Sequence, residues 1–181
     1  MEFSIETNRM ILRPIAIEDC KMVFNYRSDK ETNLYQSWIP DSIDEVQSFI
    51  SKNPTQINIP DTWFQLVIIT KQDNQVIGDI GLHFLDDNHQ AEIGITLSKH
   101  SQNQGYATEA LQSVLSYLFS DLKKHRIIAS IDPNNISSMR LMNRLGFRNE
   151  AHFRESYFHN GKWADDVIFA MLRSEYENMN S

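Results

Sequence analysis

The sequence predicts an α/β fold built on a mixed, mostly antiparallel sheet, and three observations carry that prediction. Between Thr62 and Leu97, stretches rich in β-branched and aromatic residues alternate with polar turns, the pattern of an antiparallel meander. From Ala107 the small and apolar positions fall at Ala107, Ala110, Leu111, Val114, Leu115, Leu118 and Leu122, the three-and-four spacing of one helix face. A short strand, Arg126 to Asp132, and a second helix follow, so strand, helix, strand, helix implies a parallel pair joined by a crossover helix.

In chain order, Ser4 to Ile15 alternates as one strand stopped by Pro14, and a helical pattern starts at Ala16-Ile17-Glu18-Asp19 and runs through Val23, Phe24 and Arg27. Tyr35 to Pro40 is aromatic without strong periodicity and reads as a packed connection. Asp41-Ser42-Ile43-Asp44-Glu45 supplies a cap and first-turn acids for a helix carrying Val46, Phe49 and Ile50 and ending before Pro54. Thr62 to Thr70 is nearly continuously apolar, which predicts a strand covered on both faces. Val76 to Phe84 is the returning strand, and Asp86 to His89 turns the chain into the strand that ends at Leu97. Asn135 opens a helix with Ser138, Leu141, Met142 and Leu145 on one side, stopped by Gly146. Phe147 to His159 and Lys162 to Leu172 flank Asn160-Gly161, a hairpin turn signal.

At 181 residues the chain is long enough for one domain with a substantial core, so residues 1–181 are expected to form a single domain. Apolar residues at 41% and charged residues at 23% describe a soluble globular protein. Acidic residues outnumber basic ones by 24 to 17, which favours cationic partners and argues against a direct nucleic-acid surface. The one positive cluster, Lys123-Lys124-His125-Arg126, stands where the long helix ends and is expected to face its negative pole. Cys20 is the only cysteine, so no intrachain disulfide forms and a reducing, cytoplasmic setting is expected. The stretch Met1 to Met10 lacks the apolar run of a secretory signal, and no segment has the length of a membrane span. The six histidines show no metal-ligand spacing, and neither a Gly-x-x-x-x-Gly-Lys loop nor a Gly-x-Gly-x-x-Gly fingerprint is present.

The stretch around which these elements arrange themselves is Ala91 to Leu111, a strand running through a short polar loop into a helix start. At that junction main-chain N–H groups lack intrahelical partners and the peptide dipoles sum to a partial positive charge. Gly105 has no Cβ to keep a ligand from the main chain, and Asn103 accepts a left-handed conformation at low cost. A phosphate cradle fits these residues, and so does an ordinary strand-to-helix turn.

Gln102-Asn103-Gln104-Gly105-Tyr106-Ala107, followed by Thr108-Glu109-Ala110, resembles the Gln/Arg-x-x-Gly-x-Gly/Ala signature of the GNAT N-acetyltransferases, with Asn103 where many members have glycine. Asn135 to Phe147 is similar to a second hallmark, Asn-x-x-Ser/Ala before a Leu-Gly-Phe helix end. Glu6 to Pro14 and Asn160 to Asp166 resemble the first strand and closing hairpin of the branch that acetylates ribosomal-protein N-termini. Together the matches span Glu6 to Leu172.

The resemblance implies a twisted sheet with helices on both faces and a parallel pair splayed at a cofactor site. It implies acetyl-coenzyme A as cofactor, with Gln102, Asn103, Gln104, Gly105, Tyr106, Ala107 and Thr108 around the pyrophosphate. Ile93, Ile95 and Leu97 would then lie along the pantetheine arm, and Asn135 and Ser138 would touch it.

Amide formation from a thioester needs a held donor, a deprotonated amine, a place for the oxyanion and a proton for the leaving thiolate. Many relatives supply that proton from a tyrosine four residues beyond the serine; here the position is Met142, whose thioether donates nothing, and Ser138 is the remaining candidate donor. Ser138 also fits as a small packing residue.

Glu92, at the mouth of the central strand, and Tyr157, near the final hairpin, are the candidate bases, with Tyr157 fitting a pocket wall as well. Tyr35 and Trp38 fall where the family covers its acceptor, and Asp165 or Asp166 would meet a cationic amine. The expected function is therefore direct, acetyl-CoA-dependent transfer to a primary amine, with a protein or peptide N-terminal α-amine ahead of a polyamine or antibiotic. A non-catalytic acyl-CoA-binding module is the competing class, motivated by Met142.

Overall fold

The computed structural model describes residues 3–85, 88–159 and 161–180, and its organising feature is one sheet of eight strands in the order β1-β2-β3-β4-β5-β6-β8-β7. The strands are β1 (Ile5–Glu6), β2 (Met10–Pro14), β3 (Thr62–Thr70), β4 (Val76–Phe84), β5 (Gln90–Leu97), β6 (Arg126–Ile131), β7 (Arg148–His159) and β8 (Lys162–Leu172). Every pairing is antiparallel except β5 with β6, the pair that the crossover argument required. The helices are α1 (Cys20–Arg27), α2 (Ile43–Ser51), α3 (Tyr106–Ser116), α4 (Ile136–Arg144) and α5 (Arg173–Met179).

The alternation of β3 shows how the layers form. Phe64, Leu66 and Ile68 point into a core with Leu111, Val114 and Leu118 of the α3 region and Leu141 and Met142 of α4. Val67 and Ile69 point the other way, into a cluster with Val23 and Tyr26 of α1 and Val46 and Ile50 of α2. From Phe64 to Thr70 both faces of β3 are buried, which is why this stretch reads as a nearly continuous apolar run. Burial of these side chains at about 1.5 to 3 kcal/mol each is the main force holding helices to sheet. The N-terminal cap of α2 is Ser42, whose hydroxyl accepts from the Glu45 N–H at 3.2 Å.

Several expectations need correction. Ser4 to Ile15 is not one strand: the Thr7 hydroxyl accepts from the Met10 N–H at 2.9 Å, and this local bond folds the chain back so that β1 pairs with β2. The basic cluster after α3 does not simply face the helix dipole. After a π-helical turn at Tyr117–Asp121, Lys124 is buried, and its ammonium reaches the Asn88 carbonyl and side-chain oxygens at 2.6 Å each, above the Phe84 ring. Arg126 donates instead to Gln90 and Glu150. Helix α5 was not anticipated; its Tyr176 stacks on Phe119 at 5.0 Å.

Asp86 and Asp87 of the predicted turn, Asn160 of the predicted hairpin turn, and Met1 and Glu2 lie outside the described residues. Gly161 has φ +75°, the left-handed region that the turn needs. Among the described residues no helix is long and apolar enough to cross a membrane, and no group of three or more His, Cys, Asp and Glu side chains is placed to hold a metal ion.

Candidate active site

The site begins with a fork in the sheet. β5 and β6 are in register only at Gln90↔Arg126, Ala91↔Ile127 and Glu92↔Ile128. Beyond Glu92, β5 stays with β4 as far as Leu97, and β6 stays with β8 as far as Ile131, so the two parallel strands part company. Ile93 to Leu97 therefore present an edge that no described strand pairs. A cavity of about 840 Å³ occupies the fork, with Ile93, Gly94, Ile95 and Thr96 on one arm and Ala129 to Asp132 on the other. A Cβ built on Gly94 meets nothing within 4 Å, so that arm is bare on its open side.

Below the open end of the fork the chain makes a single 3₁₀ turn, Lys99–Ser101, and enters α3 through a loop with Asn103 at φ +59° and Gly105 at φ +81°. Both belong to the left-handed region, which explains why Asn and Gly stand there. Glutamines brace the loop: the Gln102 amide donates to the Leu97 carbonyl at 3.2 Å and the Gln104 amide to the His100 carbonyl at 2.6 Å. The helical donor Glu109 N–H reaches the Gly105 carbonyl at 3.1 Å, so the amides of Tyr106, Ala107 and Thr108 precede it and have no intrahelical acceptor. A Cβ on Gly105 would sit 3.4 Å from the Arg9 guanidinium. An exposed loop with free amides, a helix start and no Cβ in the way fits a bound pyrophosphate.

Glu92 marks the apex of the fork. Its side chain is 24% exposed, and His83, its cross-strand partner on β4, places Nδ1 at 3.6 Å from the carboxylate. The His83 ring lies parallel to Trp63 at 4.7 Å, and its Nε2 stands 4.0 Å from Asp61. Burial pushes the Glu92 carboxyl above its ordinary value of 4.5, His83 pulls it down and Asp166 pushes it up, with a net rise. Asp166 accepts from the Ser130 hydroxyl at 2.7 Å on the cavity wall. Tyr157 is also on that wall; burial, then Asp132 and Asp166, hold its phenol above the usual 10, so it stays protonated at neutral pH.

Asn135 caps α4, its side-chain oxygen accepting from the Ser138 N–H at 3.1 Å. Asn135, Ser138 and Met142 all line the cavity, as do Tyr35 and Trp38 from the α1–α2 connection. Ile93 and Ile95 are on the cavity wall too, whereas Leu97 turns its side chain into the core and offers its carbonyl to Gln102. Asp165 is not on the wall: its carboxylate accepts from the Glu155 N–H at 2.9 Å and pairs with His152 at 2.7 Å.

Sequence reasoning missed much of the opposite wall. Arg27 is buried and fixed by Asp79, which also accepts from Tyr26 and Gln65, and the Arg27 guanidinium lies 5.3 Å from the Trp38 ring. Asp79 thereby neutralises the charge, and Arg27 becomes a support for Trp38. His83, Trp63, Gly94, Asp132 and Phe153 were also missed. His83 follows from Glu92 once strand register is known, and no local pattern marks the others.

The geometry finds its counterpart among known proteins. Residues 9–148 match the family model described as the acetyltransferase (GNAT) domain. An uncharacterized N-acetyltransferase of Bacillus subtilis, YnaD, is 31% identical over 175 residues, covering 95% of this chain and 98% of that protein. A spermidine N(1)-acetyltransferase of Vibrio cholerae is 25% identical over 175 residues, covering 94% and 97%. The ribosomal protein uS5 alanine N-acetyltransferase of Escherichia coli is 30% identical over 88 residues, covering 49% and 45%. A GNAT-family acetyltransferase of Bacillus anthracis superposes with a TM-score of 0.86 at 30% identity, covering 95% of this chain and 99% of that one. The chain belongs to the GNAT acetyltransferase family and is an N-acetyltransferase that uses acetyl-CoA.

Proposed function

We propose that this protein transfers the acetyl group of acetyl-CoA directly to the α-amine of a peptide or protein N-terminus. The observation that carries the proposal is Glu92: a partly desolvated carboxylate at the apex of the fork, where the unpaired edge of β5 meets the acceptor cavity. When bound, acetyl-CoA supplies an activated acetyl thioester. The amides of Tyr106, Ala107 and Thr108 with Gly105 would hold its phosphates, Ile93 and Ile95 would line its arm, and Asn135 and Ser138 would face it from α4.

An amine acceptor arrives mostly protonated at neutral pH. Glu92 takes that proton directly or through a water, and burial, which raises its pKa, strengthens it as a base. The Ser138 hydroxyl would donate its proton to the leaving thiolate and regain one from solvent, a role that Met142 cannot fill. Transfer needs no acyl-enzyme: Cys20, the only cysteine, is buried in α1 and does not line the cavity.

Three features support a peptide end as acceptor. Tyr35, Trp38 and Tyr157 give the cavity aromatic walls, Asp166 places a carboxylate among them, and one relative is a ribosomal protein uS5 alanine N-acetyltransferase. The net charge of −7 attracts a basic partner, and a cytoplasmic location suits such a substrate. A polyamine is the second reading, favoured by the three carboxylates Glu92, Asp132 and Asp166 on one cavity and by the spermidine-acetylating relative. Thiol release from acetyl-CoA with N-terminal peptides, spermidine and an aminoglycoside tests the assignment. Turnover of spermidine with the peptides untouched would move it to the second reading, and no release with any of them would refute both readings of the acceptor.

A further inference from the structure

Glu109 stands in the first turn of α3, one turn beyond Gly105. There a carboxylate suits the helix dipole but opposes an incoming phosphate, since both seek the same positive pole. The chain answers this conflict from a distant segment. Arg9, a hundred positions earlier, donates its main-chain N–H to one Glu109 oxygen at 2.9 Å and its Nε to the other at 2.6 Å. Its Nη1 donates to the Gln104 carbonyl at 3.0 Å, and its guanidinium lies 4.3 Å from the centre of the Tyr106 ring. Four contacts thus converge on the loop that bends at Asn103 and Gly105, and the remaining nitrogen, Nη2, points toward the place where a Gly105 Cβ would stand.

We propose that Arg9 is a positioning residue for coenzyme A: it neutralises Glu109 and holds the Gln104 carbonyl, so that the phosphates meet a fixed loop without a bare carboxylate beside it. This rests on the reading of the loop as the pyrophosphate site. The turn at Thr7 to Met10, which breaks the N-terminal strand in two, acquires a purpose from it, because that turn delivers Arg9 to the loop. Burial raises the Glu109 carboxyl, but hydrogen bonds from Thr7 and from Arg9 outweigh it and keep the group ionised, so Glu109 retains a charge for Arg9 to mask.

Calorimetric titration with coenzyme A, and with pantetheine as a probe lacking the phosphates, tests the proposal without reference to turnover. Arg9→Ala is expected to weaken coenzyme A binding about tenfold, the scale of one charge near a helix start, and to leave pantetheine unchanged. The loss should shrink in about 1 M salt, where charges are screened within roughly 3 Å. The double variant Arg9→Ala with Glu109→Gln restores the neutral balance and is expected to recover at least half of the loss on a logarithmic scale. Glu109→Gln alone leaves Arg9 unmatched and should bind coenzyme A about threefold tighter, a result that stands even if Arg9→Ala fails to fold. Unchanged affinity in a folded Arg9→Ala, a double variant as weak as the single one, or weaker binding by Glu109→Gln overturns the proposal. Equal affinity of the unaltered protein for coenzyme A and pantetheine overturns the phosphate-loop reading itself, and this proposal with it.

Discussion

Replacing Glu92 by glutamine keeps the shape of the side chain and its capacity to accept a hydrogen bond from His83 but removes its basicity. A general base contributes about 10² to 10⁴ in rate, or roughly 2.7 to 5.5 kcal/mol of barrier. The structure points to the lower half of that range: a quarter of the side chain is still exposed, so water retains access to the acceptor amine in the variant. Steady-state thiol release from about pH 5 to pH 9 is the assay. For the unaltered protein, kcat should rise with pH through the Glu92 pKa, which lies above 4.5, and then level off.

Glu92→Gln should lose that limb and fall about a hundredfold at the plateau. His83→Phe should shift the limb to higher pH, because it removes the group that pulls the Glu92 pKa down. Stability must move the other way. A carboxyl whose pKa is higher in the folded state binds its proton more tightly there, so its contribution is favourable below the unfolded pKa and lost as pH rises through the folded one. At neutral pH Glu92 is a net cost, and Glu92→Gln should melt at or above the temperature of the unaltered protein. A folded Glu92→Gln within about threefold of full kcat would refute the base assignment.

Two further outcomes separate binding from chemistry. Gly105→Val should abolish detectable coenzyme A binding in calorimetry while costing the fold only about 1 to 3 kcal/mol for a left-handed L residue in an exposed loop, a fall of roughly 2 to 12 °C in melting temperature. Unchanged affinity in the folded variant removes the cradle. Ser138→Ala should lower kcat about tenfold with coenzyme A affinity unchanged, the pattern of a group acting mainly in the transition state; the cap of α4 survives because the Asn135 bond is to the main-chain N–H. An unchanged kcat returns Ser138 to packing.

What the sequence disclosed depended on how local the determining physics is. β3 was legible to the residue because burial on both faces writes a nearly continuous apolar run, and β4 because polar turns bound it on either side. Ser42 and Asn135 were legible as caps because a cap needs only its own next turn. The loop around Gly105 was legible as a candidate cradle, and resemblance sharpened it. Long-range partnerships were not legible: Arg9 with Glu109, Lys124 with Asn88, and Arg27 with Asp79 join residues that register and packing alone bring together. The break of the first strand at Thr7 was missed for the opposite reason, since one side-chain bond overrode a sound alternation. Asp165 and Asp166 were indistinguishable in sequence; the pleat of β8 sends Asp166 to the cavity and Asp165 to His152.

The acceptor assignment meets its most direct test in a matched pair of peptides, identical except that one has a free and the other a blocked α-amine, each offered with acetyl-CoA alongside spermidine. Product mass spectrometry with kcat/KM for each should show acetyl on the α-nitrogen of the free peptide, no reaction of the blocked one, and a lower kcat/KM for spermidine. Acetylation of the blocked peptide on a side chain, or a higher kcat/KM for spermidine, would contradict the account.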